Sequence, residues 1–308
     1  MNDELPSPPC LSGALIDVQL DGHRVAFNAA FNSFGMDCVQ WTPVVYNDLL
    51  CSGDGTGRGL VMAYFNTVGW PLSTATSERG TFAEKILQAK QKAFLKLIEK
   101  DGIPLRLGVV KVLQNALADG AKVVLIGGTQ SEYGVELTAS ALRQLPQEVA
   151  AQVRTFSINL LAAEAGSAAD IMAQLRSATA GVKQQQLNVF VQSLTARDEE
   201  SEEGRVPQAP SFPVNVDPNL VAVLSGTRRM LEPSYLAAVA ATLSLPLSSC
   251  LFCAGTTSAL QAAASAGMAP VIIPRRFAGN GQYDDAVAKF EGYEGGQASW
   301  PRLRNLIQ

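Results

Sequence analysis

Three short apolar runs in this chain end where an open α/β enzyme displays its reactive groups. The runs are Gly13–Val18, Lys122–Ile126 and Ser249–Cys253, and they are followed by Gln19, by Gly127-Gly128 and by Ala254-Gly255. Carboxylates at such strand ends could seat Mg²⁺ and attack phosphorus, with hydroxyl and ammonium groups neutralising the charge on the phosphoryl oxygens. Asp17 is a nucleophile candidate of the right type. Gln19, two residues on, is an amide and cannot shuttle a proton. Ala254 and Gly255 offer no oxygen to a hard cation beyond their backbone, so the sequence predicts no tight Mg²⁺ site and no intact catalytic set.

Other residues could bind without turning anything over. Gly127-Gly128-Thr129, between an apolar run and a helical pattern, could cradle an anion with backbone N–H groups, although any open α/β sheet offers such a loop. Gly55-Thr56-Gly57-Arg58-Gly59 is either a plain glycine-rich connection or a loop in which Arg58 grips a phosphate. His23, the one histidine, stands in the first turn of a helical pattern and is either a locally bonded side chain or a ligand contact. Cys250 and Cys253 sit in one extended run, where a period of two puts them on opposite faces; this favours structural thiols over a metal pair. Arg275-Arg276 reads as a solvated turn, and Trp41, Trp70 and Trp300 as packing residues.

Size and composition bound the rest. The 308 residues suffice for a large domain and a smaller one, and 47% hydrophobic with 17% charged residues is ordinary for a globular chain. A net charge of -4 argues against a nucleic-acid surface, and no apolar run is long enough to span a membrane. Five cysteines, an odd number, point to free thiols in a reducing compartment. Residues 1–12 lack the pattern of a signal or transit peptide, which predicts a cytoplasmic protein or one from which a targeting segment has been removed.

The elements that must position these residues follow from periodicity. Gly13–Val18 suits a buried strand, and Asp21 suits the N-cap of a helix running to Phe34. Helical spacing then dominates to about Ile103, with Gly59–Gly69 and Ala83–Lys100 as its clearest stretches. From Leu107 the pattern alternates. Helices are predicted over 109–118, 132–143, 233–245 and 258–266, and strands over 122–126, 221–224, 249–253 and 271–274; such alternation with short loops means a doubly wound parallel sheet. The block 147–218 fits less well. It contains two helix-like pieces, the charge run Arg197–Arg205, read as a solvated loop, and four prolines.

Several strings within this layout resemble one family. Asp21-Gly22-His23-Arg24-Val25-Ala26-Phe27-Asn28, Ala63-Tyr64-Phe65-Asn66 with Gly69-Trp70-Pro71, Pro104-Leu105-Arg106-Leu107-Gly108-Val109 and Ala262-Ala263-Ala264-Ser265-Ala266-Gly267-Met268 are similar to strings of the CbbY-like sugar-phosphate phosphatases. These belong to the haloacid dehalogenase-like (HAD) superfamily. The resemblance implies a first core strand in 1–20, a helical cap over 21–103, and a Rossmann-like α/β core over 104–308 with an insertion around 147–218. It places His23 near the substrate and Arg58 where the cap loop carries a lysine.

It also shows where the family's chemistry fails. Asp17 is the nucleophile in one register and lies beyond a deleted nucleophile in another, and both registers remove the acid. The hydroxyl position falls on Gly127, or near Thr129 after a short slip. The lysine region reads Arg228-Arg229-Met230, leaving the two arginines to supply charge. The sequence thus predicts a catalytically silent HAD-like protein without cofactor, serving as a binding or scaffold subunit with a protein partner or phosphorylated small-molecule ligand, in a chloroplast by resemblance. The alternative is a residual Mg²⁺-dependent sugar-phosphate phosphatase using Asp17.

Overall fold

The computed structural model describes residues 13–52, 54–127, 133–157, 231–278, 281 and 283–307. The chain divides into two compact units, Met1–Leu105 and Arg106–Gln308. The first is helical. A π-helical turn over Val18–His23 leads into α1 (Arg24–Ser33), followed by α2 (Pro43–Ser52), α3 (Gly57–Val68) and α4 (Arg79–Lys100). Two expectations about its start are corrected. Gly13–Val18 forms no strand, only a single antiparallel bridge between Ile16 and Leu105. The cap is Asp17 rather than Asp21: its Oδ1 accepts the Leu20 N–H at 3.0 Å, so the helical turn begins four residues early.

An aromatic core holds this unit together. Phe27, Phe31, Trp41, Tyr46 and Phe65 are all at most 2% exposed. Phe31 and Trp41 meet edge to face at 4.9 Å between centroids, and Phe27 and Trp41 at 4.7 Å. Such rings bury large areas and favour offset or edge contacts, which fixes the helices more tightly than aliphatic packing alone. Asn28 clasps the Trp41 backbone from α1, donating to its carbonyl at 3.1 Å and accepting its N–H at 2.8 Å.

The second unit is α/β and Rossmann-like. Strands β1 (Val124–Gly127) and β2 (Arg154–Ser157) are parallel neighbours, and β3 (Leu251–Ala254), β4 (Ala269–Ile272) and β5 (Ala288–Lys289) form a parallel set in that order. Helices α5 (Val109–Ala118), α6 (Gly134–Gln144), α7 (Gln147–Ala150), α8 (Pro233–Thr242), α9 (Thr257–Ala266) and α10 (Trp300–Arg304) alternate with them. Parallel strands need crossovers of this kind, and helices covering the sheet explain why β1, β3 and β4 are apolar. Leu231, Leu236, Val239 and Ala263 from α8, α9 and their approaches pack with Val124, Ile126, Phe156 and Phe252, so one core serves both groups of strands. Strand β2 begins inside the block that the sequence pattern left unassigned. The strand expected over 221–224, the rest of that block from residue 158 and the charge run Arg197–Arg205 lie outside the described residues.

Arg106 opens this unit as a clamp. Its guanidinium donates to the carbonyls of Ile273 at 2.8 Å, Pro274 at 2.9 Å and Glu291 at 3.3 Å, holding the chain just beyond β4.

Candidate functional site

In the helical unit, the two residues singled out at the start of the chain are tied into the scaffold. Asp17 is 5% exposed and caps the π-helical turn through Oδ1. Gln19 is 8% exposed, and its Oε1 accepts the Tyr46 hydroxyl at 2.8 Å. An amide bonded inside an aromatic core is a structural tie between this turn and α2, and such a buried pair is costly to break.

His23 lies at the end of the same turn, with a partner that sequence reasoning missed. Lys90 Nζ stands 3.0 Å from His23 Nδ1, and the imidazole packs at 4.3 Å on the Phe94 ring. The ammonium is also 5.4 Å from the Phe27 ring centroid and 5.2 Å from that of Phe94, a favourable cation–π position. Burial first, and the Lys90 charge second, push the His23 pKa well below the usual imidazole value. The ring is therefore neutral at pH 7, with Nδ1 accepting from the lysine. Lys90 stands far from His23 in sequence, so only the return of α4 past α1 could have revealed the pair.

The glycine-rich loop becomes the N-terminus of α3. Thr56 is its N-cap, with Oγ1 accepting the Gly59 N–H at 2.9 Å. Asp54 accepts from the Thr56 hydroxyl at 2.7 Å and the Thr56 N–H at 2.9 Å, and those bonds hold its carboxyl below the ordinary carboxylate range. Its carboxylate also lies so close to Gly59 that a Cβ there would overlap it. A helix N-terminus attracts an anion, and here the chain supplies its own. Arg58 is exposed on this first turn, with the end of its guanidinium beside Gly80 at the start of α4. A Cβ added at Gly57 would lie 3.6 Å from the Phe27 ring, which also has the Lys90 ammonium over it.

In the α/β unit, the strand end at Gly127 is filled from the other side. A Cβ at Gly127 would overlap the Thr138 hydroxyl and approach Thr138 Cβ at 3.0 Å and the Gly134 carbonyl at 3.2 Å. That hydroxyl is fixed by donating to the Gly134 carbonyl at 2.7 Å. Glycine here allows the first turn of α6 to close onto β1. A serine or threonine at position 127 would need that helix to move.

After β3, Thr256 caps α9 by accepting the Ala259 N–H at 3.3 Å, so its oxygen serves the helix. Burial pushes the Cys253 thiol up to about 12, which keeps it protonated and unsuited to metal binding at neutral pH. Cys250 donates its S–H to the Pro246 carbonyl at 3.3 Å. Gly128, Thr129, Arg228 and Arg229 lie outside the described residues. The structure thus brings Lys90 beside both His23 and the Phe27 ring, and it places Gly127 in the other unit.

Among the described residues, no group of three or more His, Cys, Asp or Glu side chains is placed to hold a metal ion. The Asp17 carboxylate is committed to a helix cap, the end of β3 carries Ala254 and Gly255, and Thr256 is engaged as a cap.

No protein-family model matches the chain. It is 37% identical over 147 residues to a CBBY-like protein of Arabidopsis thaliana, a stretch covering 47% of this chain and 44% of that protein. It is 26% identical over 117 residues to a haloacid dehalogenase-like hydrolase domain-containing protein of the same plant, covering 33% of this chain and 37% of the other. The chain thus matches less than half the length of these relatives. Among solved structures, CbbY from Rhodobacter sphaeroides in complex with phosphate aligns over 95% of this chain and 96% of its own, with 16% identity and a TM-score of 0.45. Over that matched stretch the chain is similar to the plant CBBY-like protein, and over a shorter one to the haloacid dehalogenase-like protein.

Proposed function

We propose that the chain is a catalytically silent member of this sugar-phosphate phosphatase type, working as a binding subunit that holds a protein partner or a phosphorylated ligand. One observation carries the reading above the others: the positions that would do chemistry have structural jobs. Gln19 is bonded to Tyr46, Asp17 and Thr256 are helix caps, and Gly127 is packed against Thr138. A residue placed by drift in an active cleft would still face solvent. These are buried or bonded into the fold.

Anion-holding chemistry remains in the helical unit. Lys90 beside a neutral His23, with Arg58 on the first turn of α3, offers cationic donors without a general acid. We place the protein in a plastid, on its relationship to a plant CBBY-like protein. Among the described residues, no helix is long and apolar enough to cross a membrane.

The test is a panel of sugar phosphates offered to the full chain with and without Mg²⁺, in parallel with thermal-shift measurements. Binding without turnover raises the melting temperature of the metal-free protein and releases no phosphate. Mg²⁺-dependent release abolished by Asp17→Asn would establish the second reading, a residual phosphatase, which rests on Asp17 being of the right residue type.

A further inference from the structure

Helix α4 shows solvent a row of unpaired cations. Lys85, Lys92, Lys96 and Lys100 are all exposed on it. With about 100° of turn and about 1.5 Å of rise per residue, Lys92 and Lys96 lie within about 20° of Lys85 around the axis. They stand about 11 and about 17 Å along it, and Lys100 follows one turn further on. Among the described residues, none of the four makes a hydrogen bond or an ion pair. Glu84 and Glu99 are exposed on the same helix and pair with none of them.

The row works against the helix that carries it. Lysines at four-residue spacing are neighbours and repel, as Lys92, Lys96 and Lys100 do, where a glutamate among them would attract. The packing of α4 comes from Ala83, Ile86, Phe94 and Ile98, all at most 2% exposed, and owes nothing to the row. Lys90, by contrast, is engaged over the Phe27 and Phe94 rings. A repulsive row with no partner in its own unit is a surface whose charge is satisfied from outside.

The sequence contains a match for it. Asp198-Glu199-Glu200-Ser201-Glu202-Glu203, outside the described residues, places five carboxylates in six positions on a chain whose net charge is only -4. Six residues reach up to about 20 Å, enough to follow the row from Lys85 to Lys96. We propose that the lysine row of α4 docks this acidic run from a second copy of the chain. In a two-fold dimer the exchange is reciprocal, so that two such contacts close together and support each other. Single exposed ion pairs contribute little and are screened by salt; several in register give a salt-sensitive association. The inference stands apart from the question of turnover. An active phosphatase that associates in this way keeps it, and a silent chain that does not associate loses it.

The test is the oligomeric state of the full chain, read by sedimentation velocity across protein concentrations at about 0.05 M and about 0.5 M salt. Dimers form at low salt, and the higher salt weakens them roughly tenfold or more. Replacing Lys85, Lys92 and Lys96 together by glutamate yields a monomer, as does replacing Asp198, Glu199, Glu200, Glu202 and Glu203 together by lysine. Mixing those two variants restores association, because both contacts of the mixed dimer again join opposite charges. The milder pair Lys92→Gln and Lys96→Gln weakens association roughly tenfold. It leaves the melting temperature unchanged or higher, since repulsion along the helix is relieved. A monomer at every concentration, association indifferent to salt or to these substitutions, or charge-reversed variants that stay apart when mixed would overturn the proposal. So would a fall in melting temperature for the glutamine variant, since it would make the row part of the fold.

Discussion

Gln19→Asp puts back the residue type that the acid position of an active relative requires, and the structure says what that costs. Gln19 is 8% exposed and accepts the Tyr46 hydroxyl at 2.8 Å. Aspartate is one methylene shorter and loses that bond, a cost of about 1–3 kcal/mol for a buried polar pair left unmade. Its carboxyl would also sit in an aromatic core, where burial raises a carboxyl pKa by up to ~3–5 units. With a shift of ~2–3 units from a reference of ~3.9, ionised aspartate costs a further ~3–4 kcal/mol at pH 7. The sign follows directly. A carboxyl whose folded pKa lies above its unfolded value binds more protons when folded, so the variant loses stability as pH rises from about 4 to about 7 and then levels off. The total, roughly 4–7 kcal/mol at neutral pH, falls to ~1–3 kcal/mol near pH 4, which is a large share of a typical domain stability of ~5–15 kcal/mol. Urea denaturation of both proteins across that range, with a phosphatase assay at each pH, is the measurement. A variant as stable as the parent at every pH, or one that gains Mg²⁺-dependent hydrolysis, would refute the view that Gln19 is a structural tie.

Three further outcomes follow from the same geometry. Gly127→Ser should destabilise by about 1–3 kcal/mol through overpacking against α6, and Thr138→Ala should recover much of that loss; thermal melts of the two single variants and the double variant would show it. Because the chain has one histidine, NMR can follow His23 without assignment. Its resonance should titrate well below the usual imidazole value and move upward in Lys90→Met, where the cation's share of the shift is gone. With a depressed folded pKa, His23 contributes stability above about pH 6.5 that is lost as pH falls toward the folded value. Thr56→Ala should cost about 1 kcal/mol by removing the N-cap of α3, seen as a lower urea midpoint.

Much of the fold was legible because its signals are local. The helix over Val109–Ala118 ends at Asp119-Gly120, and Thr256 opens α9, which closes at Gly267 with positive φ; each boundary is written within a turn of the element. The start of the chain was harder. Gly13–Val18 has the composition of a buried strand, but both Asp17 and Asp21 can cap a helix, and the choice depends on Gln19 finding Tyr46 in a distant segment. Strand β2 was hidden because Arg154-Thr155-Phe156-Ser157 carries little apolar pattern, and its pairing with β1 decides its state. Of the candidate site, the residue types were readable at Gln19, Gly127 and Ala254. Their structural jobs were not, because Tyr46 and Thr138 are brought to Gln19 and Gly127 only by tertiary packing. Lys90 escaped for the same reason, whereas the Asp54 carboxylate stands two residues from Thr56 and is a local signal.

Oxygen exchange between water and inorganic phosphate probes the proposed silence most directly, since it reports reversible formation of a phosphoenzyme without requiring the natural substrate. The full chain, incubated with ¹⁸O-labelled phosphate and Mg²⁺, should lose label no faster than its Asp17→Asn variant or than buffer alone. Metal-dependent loss of label that disappears in Asp17→Asn would mean that Asp17 attacks phosphorus, and the reading of this chain as a binding protein would fall.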